Sequence, residues 1–138
     1  MIRISVLIDS SVLIAYYNED DENHEPALKI MNEAISGKYG NPIISDYIFS
    51  ETVTVCLNKT KSIEKTKKFG EHILMSQISV VKIDEAIFNE AWKIFCKSSK
   101  LSFTDAASIS MLKNLGISYI ATFDKDLAKL SGSNVVDN

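Results

Sequence analysis

Short apolar runs alternate with longer segments of mixed polarity along this chain. The runs are rich in β-branched side chains and are bounded by polar or turn-forming residues, which is typical of buried strands. The turn signal Asn41-Pro42 precedes one of them. The pattern predicts five strands, at residues 3–9, Ile43-Ile44, 78–83, 117–123 and, as a candidate edge strand, Val135-Val136.

The longer segments carry apolar side chains three or four residues apart, the spacing of one face of a helix. They predict seven helices, at residues 12–17, 25–35, 47–57, 63–75, 85–97, 105–116 and 124–130. Short polar side chains precede several of these segments and can accept hydrogen bonds from free backbone N–H groups. We expect caps at Ser10 or Ser11, at Ser45 or Asp46, at Asp84 and at Thr104.

Strands that alternate with helices predict an α/β fold, a parallel sheet covered by helices on both faces. A length of 138 residues points to one domain that spans residues 1–138. In open α/β sheets, ligands bind beyond the carboxyl ends of the strands. A functional site is therefore expected at that edge.

Four acidic residues lie in apolar surroundings. Asp9 and Asp124 each end a predicted strand, Asp105 opens a predicted helix, and Glu51 lies on the apolar side of another helix. Carboxylates are seldom buried unless they are paired or bound to a cation. Helix capping explains Asp9, Asp105 and Asp124 at least as well when each is taken alone. Capping does not explain Glu51, whereas one acidic pocket explains all four.

A pocket of four carboxylates requires a cation. Two carboxylates about 4 Å apart repel by about 4 kcal/mol at an effective dielectric constant near 20. An all-oxygen ligand set favours Mg²⁺ or Mn²⁺, and neither the two cysteines nor the two histidines have a partner at ligand spacing. Such an ion activates water for phosphodiester hydrolysis. The pattern therefore indicates a metal-dependent nuclease.

Charge and composition narrow the function only slightly. A net charge of −3 argues mildly against a non-specific nucleic-acid coat protein, but not against a nucleic-acid enzyme. Five lysines at 59, 61, 65, 67 and 68 form a candidate contact to a nucleic-acid backbone. A solvated helix face explains this stretch better. Phe69 is the sole aromatic residue near it in the sequence, so base stacking there is not supported.

Membrane association is not predicted. No run approaches the roughly 20 apolar residues that cross a bilayer. Arg3 is followed by too few apolar residues for a signal peptide. We therefore expect a cytoplasmic protein.

Four segments in order resemble the PIN-domain family, and most closely its VapC-type toxin ribonucleases. These segments are 7–15 (Leu-Ile-Asp-Ser-Ser-Val-Leu-Ile-Ala), Ser50-Glu51, 104–107 (Thr-Asp-Ala-Ala) and 121–127 (Ala-Thr-Phe-Asp-Lys-Asp-Leu). Each segment alone is weak, but their order and spacing cover nearly the whole chain. The resemblance implies a three-layer sandwich with a parallel sheet of about five strands.

The resemblance also implies an Mg²⁺- or Mn²⁺-dependent endoribonuclease, the toxin of a type II toxin–antitoxin pair. Asp9, Glu51, Asp105 and Asp124 would be its catalytic and metal-binding quartet, with Asp9 and Asp105 as the most direct ligands. Three further residues would support them: Ser11 beside the first acid, Thr104 as a residue that orients the third, and Asp126 as an outer carboxylate or a solvated helix acid. A small antitoxin protein and a second copy of the chain are the implied partners.

Three alternatives stay open at this point. The first is a PIN-like protein-interaction module without nuclease activity, and the second is an RNA-processing nuclease that is not a toxin. The third is a phosphoryl-transfer domain of receiver type. That domain needs an acidic pair after the first strand, where this chain has Asp9 followed by Ser10 and Ser11.

Overall fold

Five parallel strands form the central sheet in a computed structural model that describes residues 4–138. The strands are β1 (Ser5–Ile8), β2 (Asn41–Ser45), β3 (Ser79–Val81), β4 (Tyr119–Ala121) and β5 (Asn134–Val136). Their order across the sheet is β3-β2-β1-β4-β5, so β1 is central and pairs with β2 and β4. The predicted α/β fold with a five-stranded parallel sheet is confirmed.

Seven helices are formed within the described residues and connect the strands. They are α1 (Ser10–Tyr17), α2 (His24–Ile35), α3 (Asp46–Thr60), α4 (Ile63–Met75), α5 (Glu85–Phe95), α6 (Phe103–Leu115) and α7 (Lys125–Ser131). Ser45 and Asp84 cap α3 and α5 as predicted, because each side chain accepts the backbone N–H three residues further on. No helix among residues 4–138 is long and apolar enough to cross a membrane.

Two predicted caps are wrong. Ser102, rather than Thr104, caps α6, because Ser102 has the extended backbone of a cap residue while Thr104 already lies in the first helical turn. At α1 the cap position belongs to Asp9, and Ser10 and Ser11 are the first two helical residues. The acid therefore lies at the junction of β1 and α1.

The strand bounds also differ from those predicted. β3 and β4 have three residues each, because their backbone pairing extends over three positions only. Asn41-Pro42, predicted as a turn, lies within β2, where Pro42 is buried and pairs with Val6. The turn is formed by Gly40, whose φ is 83° and whose added Cβ would lie 2.0 Å from a backbone oxygen.

The core surrounds β1 on both faces. Val6, Leu7 and Ile8 have no exposed surface, as expected for the middle strand of a sheet with helices on both sides. The predicted strand start, Arg3, lies outside the described residues. This buried strand ends at Asp9, and its position fixes where the acid emerges at the carboxyl edge of the sheet.

Candidate active site

Asp9 lies directly after the central strand. It is 5% exposed, and its Oδ2 accepts hydrogen bonds from the Ser11 hydroxyl at 2.7 Å and the Thr122 hydroxyl at 2.8 Å. Although Asp9 occupies the cap position of α1, its side chain makes no capping hydrogen bond. Capping therefore does not explain this acid.

Glu51 reaches the same edge from the second turn of α3. The Ser10 hydroxyl donates a hydrogen bond to its Oε1 at 2.7 Å. Because Ser10 follows Asp9 directly, this bond links the acid of α3 to the start of α1. The half-buried Glu51 thus lies toward the sheet edge, as its position on the apolar side of the helix predicts.

Asp105 and Asp124 do cap helices. Asp105 Oδ2 accepts the Ser102 backbone N–H at 3.1 Å while the Ser102 hydroxyl accepts the Asp105 N–H, a reciprocal capping box at α6. Asp124 Oδ1 accepts the Leu127 N–H at 3.0 Å and caps α7. For these two acids capping is correct, and it fixes each carboxyl group in a defined orientation.

Pairwise electrostatic coupling links the four acids at this edge of the sheet. Burial, together with the negative charges of Asp9 and Asp124, raises the pKa of Asp105 to about 6 against the opposing hydrogen bonds with Ser102. Burial also raises the pKa of Asp9, with hydrogen bonds from Ser11 and Thr122 opposing and the charge of Glu51 adding to it. Glu51 is thus close enough to Asp9, and Asp9 and Asp124 are close enough to Asp105, for their charges to raise the pKa values of Asp9 and Asp105.

The residues present fit a hard cation in their chemistry. One oxygen of each carboxylate is held by a hydrogen bond from a hydroxyl or a backbone N–H, and the second oxygen takes no part in these bonds. Mg²⁺ and Mn²⁺ prefer such oxygens. No three His, Cys, Asp or Glu side chains within residues 4–138 stand close enough together to form a ready-made ligand cluster. The assignment of individual ligands stays a prediction.

The three predicted supporting residues differ in position. Ser11 contacts Asp9, and its Oγ also accepts the Phe123 N–H at 3.1 Å. Thr104 is half-buried near Glu51, while Ser102 makes the hydrogen bonds that orient Asp105. Asp126 is exposed in the first turn of α7, the position of a solvated helix acid.

Three hydroxyl residues of the site were not predicted from the sequence: Ser10, Ser102 and Thr122. Thr122 has the widest role, because its Oγ1 donates to Asp9 and also accepts the Asp124 N–H at 3.0 Å. It lies 113 positions from Asp9 in the chain. The sequence did carry one signal for Thr122 as a site residue: it directly follows a strand and lies two residues before Asp124.

Replacing Thr122 by valine tests this linkage. We expect Thr122→Val to lower the free energy of unfolding by about 1–3 kcal/mol, because the nearly isosteric side chain leaves buried polar partners without a hydrogen bond. Urea unfolding at neutral pH measures it. Thr52→Val is the matched control, since the buried Thr52 hydroxyl donates only to the Ile48 carbonyl of its own helix. Equal losses in the two variants would contradict a special role for Thr122.

The lysine stretch lies at the end of α3 and along α4 in the structure. Its five lysines are all exposed, and two open clefts of about 420 and 570 Å³ contain Lys65. Phe69 is the only aromatic residue close to this stretch in the sequence, but a second aromatic ring lies beside Phe69 in the structure. Tyr17 of α1 stacks on Phe69 of α4 with ring centroids 4.5 Å apart.

An all-parallel α/β domain with four coupled acids at the carboxyl edge of its sheet belongs to the class that binds ligands at that edge. The family model described as PIN domain matches residues 6–133. The chain belongs to the PIN-domain family.

Known relatives agree with this assignment. A VapC ribonuclease of Archaeoglobus fulgidus is 24% identical over 121 residues, which cover 86% of this chain and 76% of that protein. The structure of the Mycobacterium tuberculosis toxin VapC20, which cleaves the sarcin-ricin loop, superposes with a TM-score of 0.77 at 20% identity, covering 91% and 94% of the two chains. VapBC2 of Rickettsia felis, bound to promoter DNA, gives 0.68 at 11% identity, with 95% and 96% covered.

Proposed function

We propose that this protein is a divalent-metal-dependent endoribonuclease that hydrolyses RNA phosphodiester bonds. The observation that carries the proposal is the coupling of Asp9, Glu51, Asp105 and Asp124 at one edge of the sheet. Uncompensated, these charges oppose one another, and a bound cation relieves that repulsion. Similarity to a VapC ribonuclease supports the same reaction class.

The chain's own residues supply binding and orientation. Asp9, held by Ser11 and Thr122, and Asp105, held by Ser102, would bind the ion most directly, with Glu51 and Asp124 completing the set. When bound, Mg²⁺ or Mn²⁺ activates water and stabilises the charge that develops on the phosphate. The capping hydrogen bonds keep the acids in place while the substrate binds.

Cleavage of a total RNA pool tests the proposal. The purified chain should produce discrete fragments with Mn²⁺ or Mg²⁺ and none with excess chelator. Fragment ends identify the bond that is cut. An intact pool at every metal concentration, with a protein that is folded by circular dichroism, would contradict it.

We also propose that the nuclease is the toxin of a toxin–antitoxin pair, acting in the cytoplasm. VapBC2 and the FitAB complex of known structure support this, since both resemble this chain in fold. Induced expression in bacteria should then arrest growth, and a small antitoxin protein encoded beside the toxin should restore it. Normal growth with full nuclease activity would instead favour an RNA-processing enzyme.

A homodimer is the third part of the proposal. Phe88 and Trp92, one turn apart on α5, are 45% and 56% exposed, and such apolar surface is typical of protein interfaces. Trp92→Lys should convert a dimer into a monomer, as measured by sedimentation. Thiol labelling gives a second readout, because Cys96 is exposed one turn further on and Cys56 is buried. A wild type that sediments as a monomer would contradict this proposal.

A further inference from the structure

An open cleft of about 390 Å³ lies beside Glu51, between α3 and the start of α6. Its lining is Tyr47, Ser50, Glu51, Thr54, Val55 and Thr104. Glu51 is thus shared between the cleft and the proposed catalytic centre. A substrate held at the acids therefore has the cleft as its neighbour.

The side chains that line the cleft are suited to the base of a nucleotide rather than to its phosphate. Among the described residues that form it, none is a lysine or arginine, so it lacks the cations that bind phosphate. It offers an aromatic ring, from Tyr47, and three aliphatic hydroxyls, from Ser50, Thr54 and Thr104. A ring that stacks and hydroxyls that bond to polar edges suit an unpaired base. The volume, at the lower end of the roughly 300–1,000 Å³ of ligand pockets, suits one nucleoside rather than a duplex.

Tyr47 is held as a firm platform. Its ring lies 6.2 Å from Phe103, whose ring in turn lies 5.7 Å from Phe95 and 5.2 Å from Phe88. The start of α3 is also fixed, because Asp46 Oδ1 accepts the Ile83 N–H at 3.0 Å. A ring supported in this way loses little freedom when a base stacks on it.

We propose that this cleft binds one unpaired base of single-stranded RNA, next to the phosphate held at the acids. The base stacks on Tyr47, and the hydroxyls of Ser50, Thr54 and Thr104 bond to its edge. This inference rests on the proposed ribonuclease function and adds to it the residues that hold one base of the substrate. Paired bases cannot enter, since their faces are already stacked.

Binding of RNA in the absence of cleavage tests the cleft. The Asp9→Asn chain serves as parent, and the probes are a fluorescein-labelled single-stranded RNA of random sequence and a duplex of equal length. The parent should bind the single strand more tightly than the duplex. Added to this parent, Tyr47→Leu should weaken single-strand binding by roughly 5- to 150-fold, the range expected for loss of one base–aromatic stack, while Tyr47→Phe stays within about twofold.

Tyr39→Leu is the matched control. Tyr39 is also half-buried and packs on Tyr119 at 5.4 Å, but it precedes β2 at the opposite end of the sheet. Its replacement should leave RNA binding unchanged. A second pair avoids buried positions: Thr54→Trp fills the cleft from an exposed residue, whereas Asn58→Trp places the same bulk on α3 outside the lining. Only Thr54→Trp should weaken binding.

Each remaining outcome has a definite meaning. If Tyr47→Leu binds RNA as tightly as the parent does, or if the parent binds no RNA, the proposal that the cleft binds a base is contradicted. If Tyr47→Leu sediments differently from the parent but binds RNA normally, the base-binding proposal is contradicted. The cleft would then be a contact surface for a second copy of this chain. Tyr47-dependent binding by a wild type that cuts no RNA supports the cleft while the nuclease proposal fails. If Tyr47→Leu cleaves RNA with an unchanged KM, the proposed base binding in the cleft is contradicted, while the proposed nuclease function is still supported.

Discussion

Asp9→Asn is expected to reduce RNA cleavage by about 10³-fold or more. Loss of a direct metal ligand at a site of this kind removes several kcal/mol of transition-state stabilisation, and about 4 kcal/mol corresponds to 10³-fold. The initial rate of cleavage of a defined RNA fragment at saturating Mn²⁺ measures the effect. In cells, the same substitution should relieve growth arrest caused by the wild-type chain.

The variant should stay folded. Burial raises the pKa of Asp9, which means that its charge is less favourable in the folded chain than in water. An asparagine removes that charge, while its carbonyl oxygen can still accept from Ser11 and Thr122 as Asp9 Oδ2 does. Thermal unfolding of metal-free Asp9→Asn should therefore occur at the wild-type temperature or above it.

Asp126→Asn is the control for this experiment. It makes the same chemical change to an exposed acid in the first turn of α7, close in sequence to Asp124. Its cleavage rate should stay within about twofold of wild type, since exposed charges change local energies by about 0–1 kcal/mol. Full activity of Asp9→Asn would show that the buried acid is structural.

The sequence was sufficient for the fold and for the positions of the acids at the sheet edge because local patterns encode both. Uninterrupted apolar residues made β1 recognisable as a buried strand, and the acid that ends it had to emerge at the carboxyl edge. Glu51 was recognisable for a related reason, because a charge on the apolar side of a helix needs an explanation. These signals each lie within a few residues of the acid.

The hydroxyl groups around the acids were not predictable in the same way. Ser10 bonds to Glu51 across 41 positions of chain, and Thr122 bonds to Asp9 across 113. Serine and threonine are common in loops, so neither residue stands out before the strands are paired. The aromatic neighbours of Phe69 were missed for the same reason, since Tyr17 comes from a different helix.

Metal should change how the stability of this protein depends on pH. The pKa of Asp105 rises from 3.8 to about 6 on folding, so the folded chain holds this proton more tightly than the unfolded chain. The stabilisation is fully present below pH 3.8 and is lost as pH rises through about 6. The pKa of Asp9 shifts in the same direction. Without metal, these two acids therefore make the fold less stable at neutral pH than in mild acid.

Mn²⁺ binding should reverse this trend, because carboxylate ligands bind the ion only after they lose their protons. We expect Mn²⁺ to raise the unfolding temperature of the wild type at about pH 8 much more than at about pH 5, with about 2.7 kcal/mol of stabilisation at 100 times Kd. Calorimetric titration at the two pH values measures the affinities directly. Asp105→Asn should lose the part of the stabilisation in acid that comes from Asp105, and most of the Mn²⁺ effect, whereas Asp126→Asn should keep both. If Mn²⁺ neither binds to the wild type nor stabilises it at about pH 8, the metal-binding proposal is contradicted. Protonation and hydrogen bonds alone would then offset the repulsion between the acids.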